Sequence, residues 1–360
     1  MTGQIETLSN RCLVYKQHGD PKQVLHAHEY QLEPPRPGQV RVKFRLSAVN
    51  PADINVIQGV YPSKPPVRQD IASEPMTIMG NEATAEIIVV MGKGQLGTWQ
   101  QYANLDPTDL TLLPSDKPIS DIQAATLAIN PPTALRMLSD FVPLDPSTTK
   151  KHNQQDEPKQ WIIQNGANSA VGMSVIQIAK SWNVGTINLV RNRQDIDSLK
   201  QKLKKLGANH VLTYEEFLNK GTRQEIKHWL KHDELKLALN CVGGKETTEM
   251  VKLLDTNGFL VTYGGMAKTQ LSLPPSLFIF KKLTATGFWL SDWSKQNPGP
   301  RQEMLNRLAN LIHQGQFMEP DCEIVDLSST DLNLNDMTVK VRKVMEQIEN
   351  GRGKKFLFKM

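Results

Sequence analysis

Two arginines one residue apart, Arg191 and Arg193 with Asn192 between them, follow directly on the apolar run Thr186–Val190. A guanidinium is a rigid fork of donors that grips phosphate bidentately, so such a pair at a strand end is chemically a phosphate site. Upstream stands Ile162-Ile163-Gln164-Asn165-Gly166-Ala167-Asn168-Ser169-Ala170-Val171-Gly172, an apolar run that passes through small residues into a helical pattern. A turn of this kind presents backbone N–H groups to an anion at the positive end of a helix dipole. Gly166 permits the tight turn and Gly172 close packing of helix on sheet. Ala170 stands where such loops often carry glycine, so the strict Gly-x-Gly-x-x-Gly fingerprint is absent. By itself the loop fits any strand–turn–helix with small residues equally well. The second strand decides: a site for an unmodified ribose needs an acid there to accept from the 2′-hydroxyl, whereas two arginines suit a 2′-phosphate. The nucleotide expected is NADP(H).

The elements that must hold these residues alternate from Trp161 onward. WIIQNG reads as a strand and SAVGMSVIQIAKSW as a helix with Val171, Val175, Ile178 and Ala179 on one face. TINLVR is a second strand, and LKQKLKKLGA a helix closing at Gly207. NHVLTY, LKLALNCVGG, GFLVTYGG and LTATGFW supply further strands. The alternation implies an α/β fold, a Rossmann-type doubly wound parallel sheet covered on both faces. Before it, residues 11 to 130 read as short strands, among them CLVY, VRVKFRLSAVN (Val40–Asn50, one strand) and EIIVVM. The loop from Asn50 to Glu82 is rich in proline and glycine, which excludes long regular structure, and its length marks a functional loop. Asp121–Val142 is expected to be helical in pieces, broken at Pro131–Pro132, and Asp145–Gln160 to be an exposed polar insertion without a function. After Phe288 two polar helices lead to a last strand, KKFLFK.

Composition excludes other classes. No apolar run approaches the roughly 20 residues needed to span a bilayer. The net charge of +5 is mild; it would favour an anionic ligand, but nucleic-acid binders concentrate their charge more strongly. Lys200, Lys202, Lys204 and Lys205 read as the solvated face of one helix. Cys12, Cys241 and Cys322 are far apart, with no zinc spacing, so neither a metal site nor a disulfide is expected. The opening MTGQIETLSN has no secretory pattern and no arginine, so the chain is read either as cytosolic or as lacking its presequence.

Asn50-Pro51-Ala52-Asp53-Ile54-Asn55 and Gln58-Gly59-Val60-Tyr61-Pro62 resemble the catalytic domain of medium-chain dehydrogenase/reductases. Gly80-Asn81-Glu82, Asn130-Pro131-Pro132-Thr133-Ala134, NGANSAVG, VRNR, LALNCVGGK (Leu237–Lys245), VTYGGM (Val261–Met266) and TGFWL (Thr286–Leu290) narrow the likeness to the yeast and fungal mitochondrial 2-enoyl thioester reductases. The resemblance runs over nearly the whole chain. It implies a zinc-free enzyme of mitochondrial fatty acid synthesis, in the matrix, that moves hydride from NADPH to the β-carbon of a trans-2-enoyl group on acyl carrier protein or coenzyme A. Tyr61 matches the family's proton donor: its phenol would stabilise the enolate oxygen or protonate the α-carbon. The same carry-over gives Asn130 to the nicotinamide end and Asn168, Ser169, Ala170 and Val171 to the pyrophosphate. Arg191, Asn192 and Arg193 fall to the 2′-phosphate, and Tyr263, Gly264, Gly265, Met266, Phe288, Trp289 and Leu290 to the cofactor's lining. Lys355 maps to the cofactor through a short strand. The implied domains are a GroES-like, mainly β catalytic domain over 1–130, an NADP-binding domain over 131–290 and a return to the first domain over 291–360, assembled as a homodimer through the cofactor domains.

One departure stands out. After Gly80-Asn81-Glu82 the family has a strand, a Gly-Asp turn and another strand before Gly-Thr-Trp; here EIIVVMGKGQ leads straight into Leu96-Gly97-Thr98-Trp99. A lost strand would leave its neighbours unpaired. Two other readings therefore stand beside the reductase: an NADPH:quinone reductase of the same superfamily, which usually lacks the tyrosine of QGVYP, and a catalytically impaired NADPH-binding pseudoenzyme.

Overall fold

The computed structural model describes residues 6–85, 88–91, 96–114, 119–146, 160–231, 233–297, 299–351 and 354–360. Residues 147–159 of the polar stretch read as an insertion lie outside them. Two compact units are present: Met1–Ile129 with Ser294–His313 and Glu319–Met360, and Asn130–Trp293 with Gln314–Met318.

In the second unit the alternating pattern builds one sheet of six strands: β1 (Gln160–Gln164), β2 (Gly185–Val190), β3 (His210–Thr213), β4 (Glu234–Asn240), β5 (Phe259–Thr262) and β6 (Thr284–Gly287). All neighbours are parallel and the spatial order is β3-β2-β1-β4-β5-β6. The order reverses at β1, and a crevice outside the carboxyl ends at such a switch point is where open α/β sheets take ligands. Every residue of β2 is buried, as two covered faces require. Helix α1 (Ala170–Ser181) buries Val171, Val175, Ile178 and Ala179, the face read from the sequence. Helix α2 (Ile196–Leu206) ends at Gly207 with φ +116°, which only a residue without a Cβ adopts cheaply. On α2, Lys202, Lys204 and Lys205 are exposed, and Lys200 pairs with Glu216.

Pro131 and Pro132 do not break a helix. They sit in the first turn of the helix Asn130–Asp140, where proline's missing N–H has no acceptor to lose.

The other unit is mainly β. The segment Val40–Asn50, expected as one strand, divides at Phe44–Arg45. Val40–Lys43 pairs with Tyr102–Leu105, whereas Leu46–Ala48 enters a six-stranded sheet. The cause is a corner: Phe44 N–H bonds to Gln101 and the next N–H, of Arg45, to Thr84. In the larger sheet the C-terminal strand Lys355–Lys359 lies between Cys322–Asp326 and Leu46–Ala48. The shortened segment leaves no gap among the described strands, because Ile88–Met91 pairs with Glu82–Thr84 on one side and Leu110–Leu112 on the other. Trp99 is wholly buried, edge-on to Phe358 at 5.1 Å, and its Nε1 donates to Ala48 at 3.1 Å.

Where the two ends of the segment Asn50–Glu82 meet lies a buried polar cluster. Glu82 accepts from the backbone of Ala128 and Ile129, both at 2.9 Å, and from Asn50 Nδ2 at 2.8 Å. Lys355 donates to Asn50 Oδ1 and stands 4.0 Å from Glu82. Asp53 accepts from Asn50 N–H at 2.8 Å, while its other oxygen has no partner among the described residues. Burial pushes the Asp53 carboxyl up to about 7, helped by the Glu82 charge and opposed by Asn50 N–H and Lys355; burial also raises Glu82. The fold therefore binds a proton on Asp53 that the unfolded chain releases at lower pH, so this stabilisation is full in acid and lost as pH rises towards 7. Asp53→Asn is expected to flatten that dependence: thermal unfolding close to the parent below about pH 4 and increasingly above it towards pH 8. An unchanged pH slope would remove Asp53 as its source.

Candidate functional site

The four loops leaving β1, β4, β5 and β6 follow adjacent strands of one sheet. The turn after β1 is held in place from below. Gly166 has φ +59°, and a Cβ there would lie 2.5 Å from Cys241 Sγ, so no side chain fits. A Cβ on Gly172 would lie 2.6 Å from the carbonyl oxygen of Ala167, which lets α1 start directly on its own turn. Ser169 caps that helix, accepting from Gly172 N–H at 3.1 Å. Ala170 and Val171 supply first-turn N–H groups that have no intrahelical acceptor. The Gly166 N–H is already taken, donating to the Tyr214 hydroxyl at 3.2 Å.

Arg191, Asn192 and Arg193 follow β2 directly; Arg191 and Asn192 are exposed and Arg193 is half-buried. Among the described residues neither guanidinium has an ion-pair partner. Burial pushes the Tyr214 phenol up to about 12, and the Arg191 charge opposes that rise; Arg191 therefore acts electrostatically on the group that holds the turn.

Tyr263 to Met266 leave β5 and stay knitted to the β4 loop: Tyr263 N–H donates to Asn240 at 2.9 Å and Met266 N–H to Cys241 at 2.8 Å. Gly264 stands so close that its Cβ would be 3.2 Å from Cys241 Cβ. The Tyr263 hydroxyl is buried beside Cys241, Ser169 and Tyr214, and burial raises this phenol well above its ordinary range. After β6, Phe288 N–H donates to Thr262 at 2.9 Å and its ring meets Phe141 edge-on at 6.3 Å. Trp289 and Met266 are exposed, and Leu290 is buried at the start of the next helix. Asn130 is buried at the head of the helix that packs against α1.

The second unit thus holds Asn130, Asn168 to Val171, Arg191 to Arg193, Tyr263 to Met266 and Phe288 to Leu290. Tyr61 and Lys355 belong to the first. Tyr61 packs, half-buried, against the core that contains Val56, Trp99 and Phe358, and the Lys355 ammonium is engaged by Asn50 and Glu82. Sequence reasoning passed over Cys241, Tyr214, Asn165 and Asn240. A signal existed for the last two: each is an asparagine closing an apolar strand just before a small-residue turn. Among the described residues no three His, Cys, Asp or Glu side chains converge as metal ligands.

A nucleotide fits this arrangement on three observations: a turn with no room for side chains, N–H groups at a helix start, and uncommitted guanidinium groups on the neighbouring strand end. Comparison with known proteins agrees. Residues 170–310 match the family described as zinc-binding dehydrogenase. Mitochondrial enoyl-[acyl-carrier-protein] reductases of Schizosaccharomyces pombe and Homo sapiens are 37% and 41% identical over 88% of this chain, covering 87% and 82% of their own lengths. That of Yarrowia lipolytica is 35% identical over 96% of this chain and 91% of its own. Among solved structures, Etr1p in complex with NADP and crotonyl-CoA superposes with a TM-score of 0.86 at 32% identity, over 98% of this chain and 100% of that one. The Etr1p/Etr2p heterodimer from Candida tropicalis gives the same values. A putative NADPH:quinone reductase from Bacillus thuringiensis, 20% identical with a TM-score of 0.76, shares the fold. Relatives this similar over this much of their length make the chain a member of the mitochondrial enoyl-[acyl-carrier-protein] reductases, within the medium-chain dehydrogenase/reductase superfamily.

Proposed function

We propose that the chain reduces trans-2-enoyl thioesters, carried on acyl carrier protein or coenzyme A, to saturated acyl thioesters at the expense of NADPH, in mitochondrial fatty acid synthesis. The observation that carries this reading is the pair of unpaired guanidinium groups at the end of β2, in a fold shared end to end with a reductase that binds NADP and crotonyl-CoA. Arg191, Asn192 and Arg193 hold the 2′-phosphate. Asn168, Ser169, Ala170 and Val171 hold the pyrophosphate on the α1 dipole. Tyr263, Gly264, Gly265, Met266, Phe288, Trp289 and Leu290 line the dinucleotide, with Asn130 at its nicotinamide end. Lys355 keeps a contact to the cofactor beside its bond to Asn50.

When bound, NADPH supplies the hydride for the β-carbon. The chain's own contribution is at the other end of the reacting system, where negative charge gathers on the thioester oxygen and a proton must reach the α-carbon. Tyr61 serves there, its hydroxyl donating to that oxygen or giving up its proton to the carbon. The working division is a GroES-like catalytic domain over 1–130 completed by 291–360, and an NADP-binding domain over 131–290. The edge strand β6 is largely exposed, with Ile279 and Phe280 exposed on the helix before it. An uncovered edge beside apolar side chains suits pairing with a second copy, and the assembly is assigned as a homodimer. The relatives' names say mitochondrial; within that compartment we assign the chain to the matrix.

Three measurements test the reading. NADPH oxidation should be supported by crotonyl-CoA; turnover of a quinone in its place would transfer the chain to the quinone reductases, and tight NADPH binding with neither turnover would make it a pseudoenzyme. Tyr61→Phe should lower kcat by about 10- to 1000-fold, the cost of losing one acid or oxyanion donor; full enoyl turnover would dismiss Tyr61 from the chemistry. Arg191→Ala with Arg193→Ala should impair NADPH use far more than NADH use, and equal losses would contradict the 2′-phosphate assignment.

A further inference from the structure

Buried polar side chains cross the sheet where the cofactor loops begin. Asn165 follows β1, Asn240 ends β4, Thr262 ends β5, and Thr247 lies in the helix Gly244–Leu253. Asn165 Nδ2 donates to Asn240 Oδ1 at 2.7 Å and to Thr247 Oγ1 at 3.0 Å, while its Oδ1 accepts from Cys241 N–H at 2.8 Å. Asn240 Oδ1 also accepts from the N–H groups of Val242 and Gly243, at 3.2 and 3.0 Å. Asn240 Nδ2 donates onward to Thr262 Oγ1 at 3.1 Å. Asn165 and Thr247 are 0% exposed and Asn240 is 1% exposed.

Such groups are costly in a core that apolar residues could fill, unless every donor and acceptor is satisfied. The positions just before Asn240 and Thr262, Leu239 and Val261, are apolar and wholly buried, whereas Gln164, just before Asn165, is itself a buried amide that donates to the Gly172 carbonyl and to Asn188. Asn165 and Asn240 thus stand where the chains leave the sheet. There they add side-chain bonds to the ladder, tying the Gly166 turn to Cys241–Gly243 and, through Thr262, to the start of Tyr263–Met266. An aspartate at 240 would keep the acceptors but lose the donor to Thr262 and bring a negative charge towards an anion site. A carboxamide meets both needs.

We infer that Asn165 and Asn240 are positioning residues of the dinucleotide site: their hydrogen bonds set the spacing between the Gly166 turn and the Tyr263–Met266 loop, and hence affinity for the portion that NADPH and NADH share. The 2′-phosphate is left to the end of β2. This rests on the cofactor reading proposed above.

The two kinds of residue separate in binding measurements on the full chain. Asn165→Ser is expected to raise the dissociation constants of NADPH and NADH by a common factor of about tenfold, roughly one buried hydrogen bond. Affinity for adenosine 2′-monophosphate should stay unchanged. Arg191→Ala has the reverse signature, weakening NADPH and adenosine 2′-monophosphate and sparing NADH. Unchanged affinity for both dinucleotides in a folded Asn165→Ser chain, or a loss confined to NADPH, would overturn the inference. If that variant does not fold, Thr262→Val removes the acceptor for Asn240 at nearly constant volume and is held to the same two outcomes. A parent chain that bound neither dinucleotide would overturn the cofactor reading beneath this one, whatever the variants did.

Discussion

A thiol occupies the space where a side chain on residue 166 would stand. Gly166 turns with a positive φ directly over Cys241, and Gly264 closes on the same cysteine from the next strand. This steric constraint links three loops that are distant in sequence, because the Gly166 turn closes on the sulfur of Cys241 and the Gly264 loop on its Cβ and backbone. Burial raises the Cys241 thiol above its ordinary range, so the group acts as neutral filling and not as a nucleophile. Helix α1 then begins where the turn ends, with its first N–H groups free.

The other unit solves a different problem, that of holding ionisable groups out of water. Glu82 is tolerable there because two backbone N–H groups, an asparagine and a lysine surround it. The same carboxylate fixes Ala128 and Ile129, the last residues before the chain enters the nucleotide unit at Asn130. One side chain thereby ties the Gly-Asn-Glu strand to the exit point of its own unit. Removing one partner of such a cluster leaves an uncompensated charge, which is far worse than never having buried it.

Much of the nucleotide unit was legible because its rules are local. Strand and helix periods, the glycine after α2 and the arginines after β2 each carry a meaning within a few residues. Phe44–Arg45 was not legible, since a corner keeps its alternation while changing partners, and period-two patterning carries no information about which strand lies alongside. Pro131–Pro132 was misread because proline has the same composition signal at a helix start as at a break. Cys241 and Tyr214 were invisible for a further reason: their importance comes from contacts across the sheet with Gly166. The network of Asn165 and Asn240 lay between these extremes, present as a pattern of strand-ending asparagines but readable only once the strand order was known.

The place of Lys355–Lys359 bears on how the polypeptide matures. This segment is an interior strand, flanked by Cys322–Asp326 and by Leu46–Ala48. Leu46–Ala48 must therefore wait, during synthesis, for a partner made only after Asn130–Trp293, a unit that is nearly continuous in sequence. Domains generally fold as units while the ribosome is still translating. Here the second unit in sequence is ready first, and the first keeps an unpaired strand edge until Lys355–Lys359 has been made. That interval is the natural window for a chaperone to act, and for truncated products to aggregate.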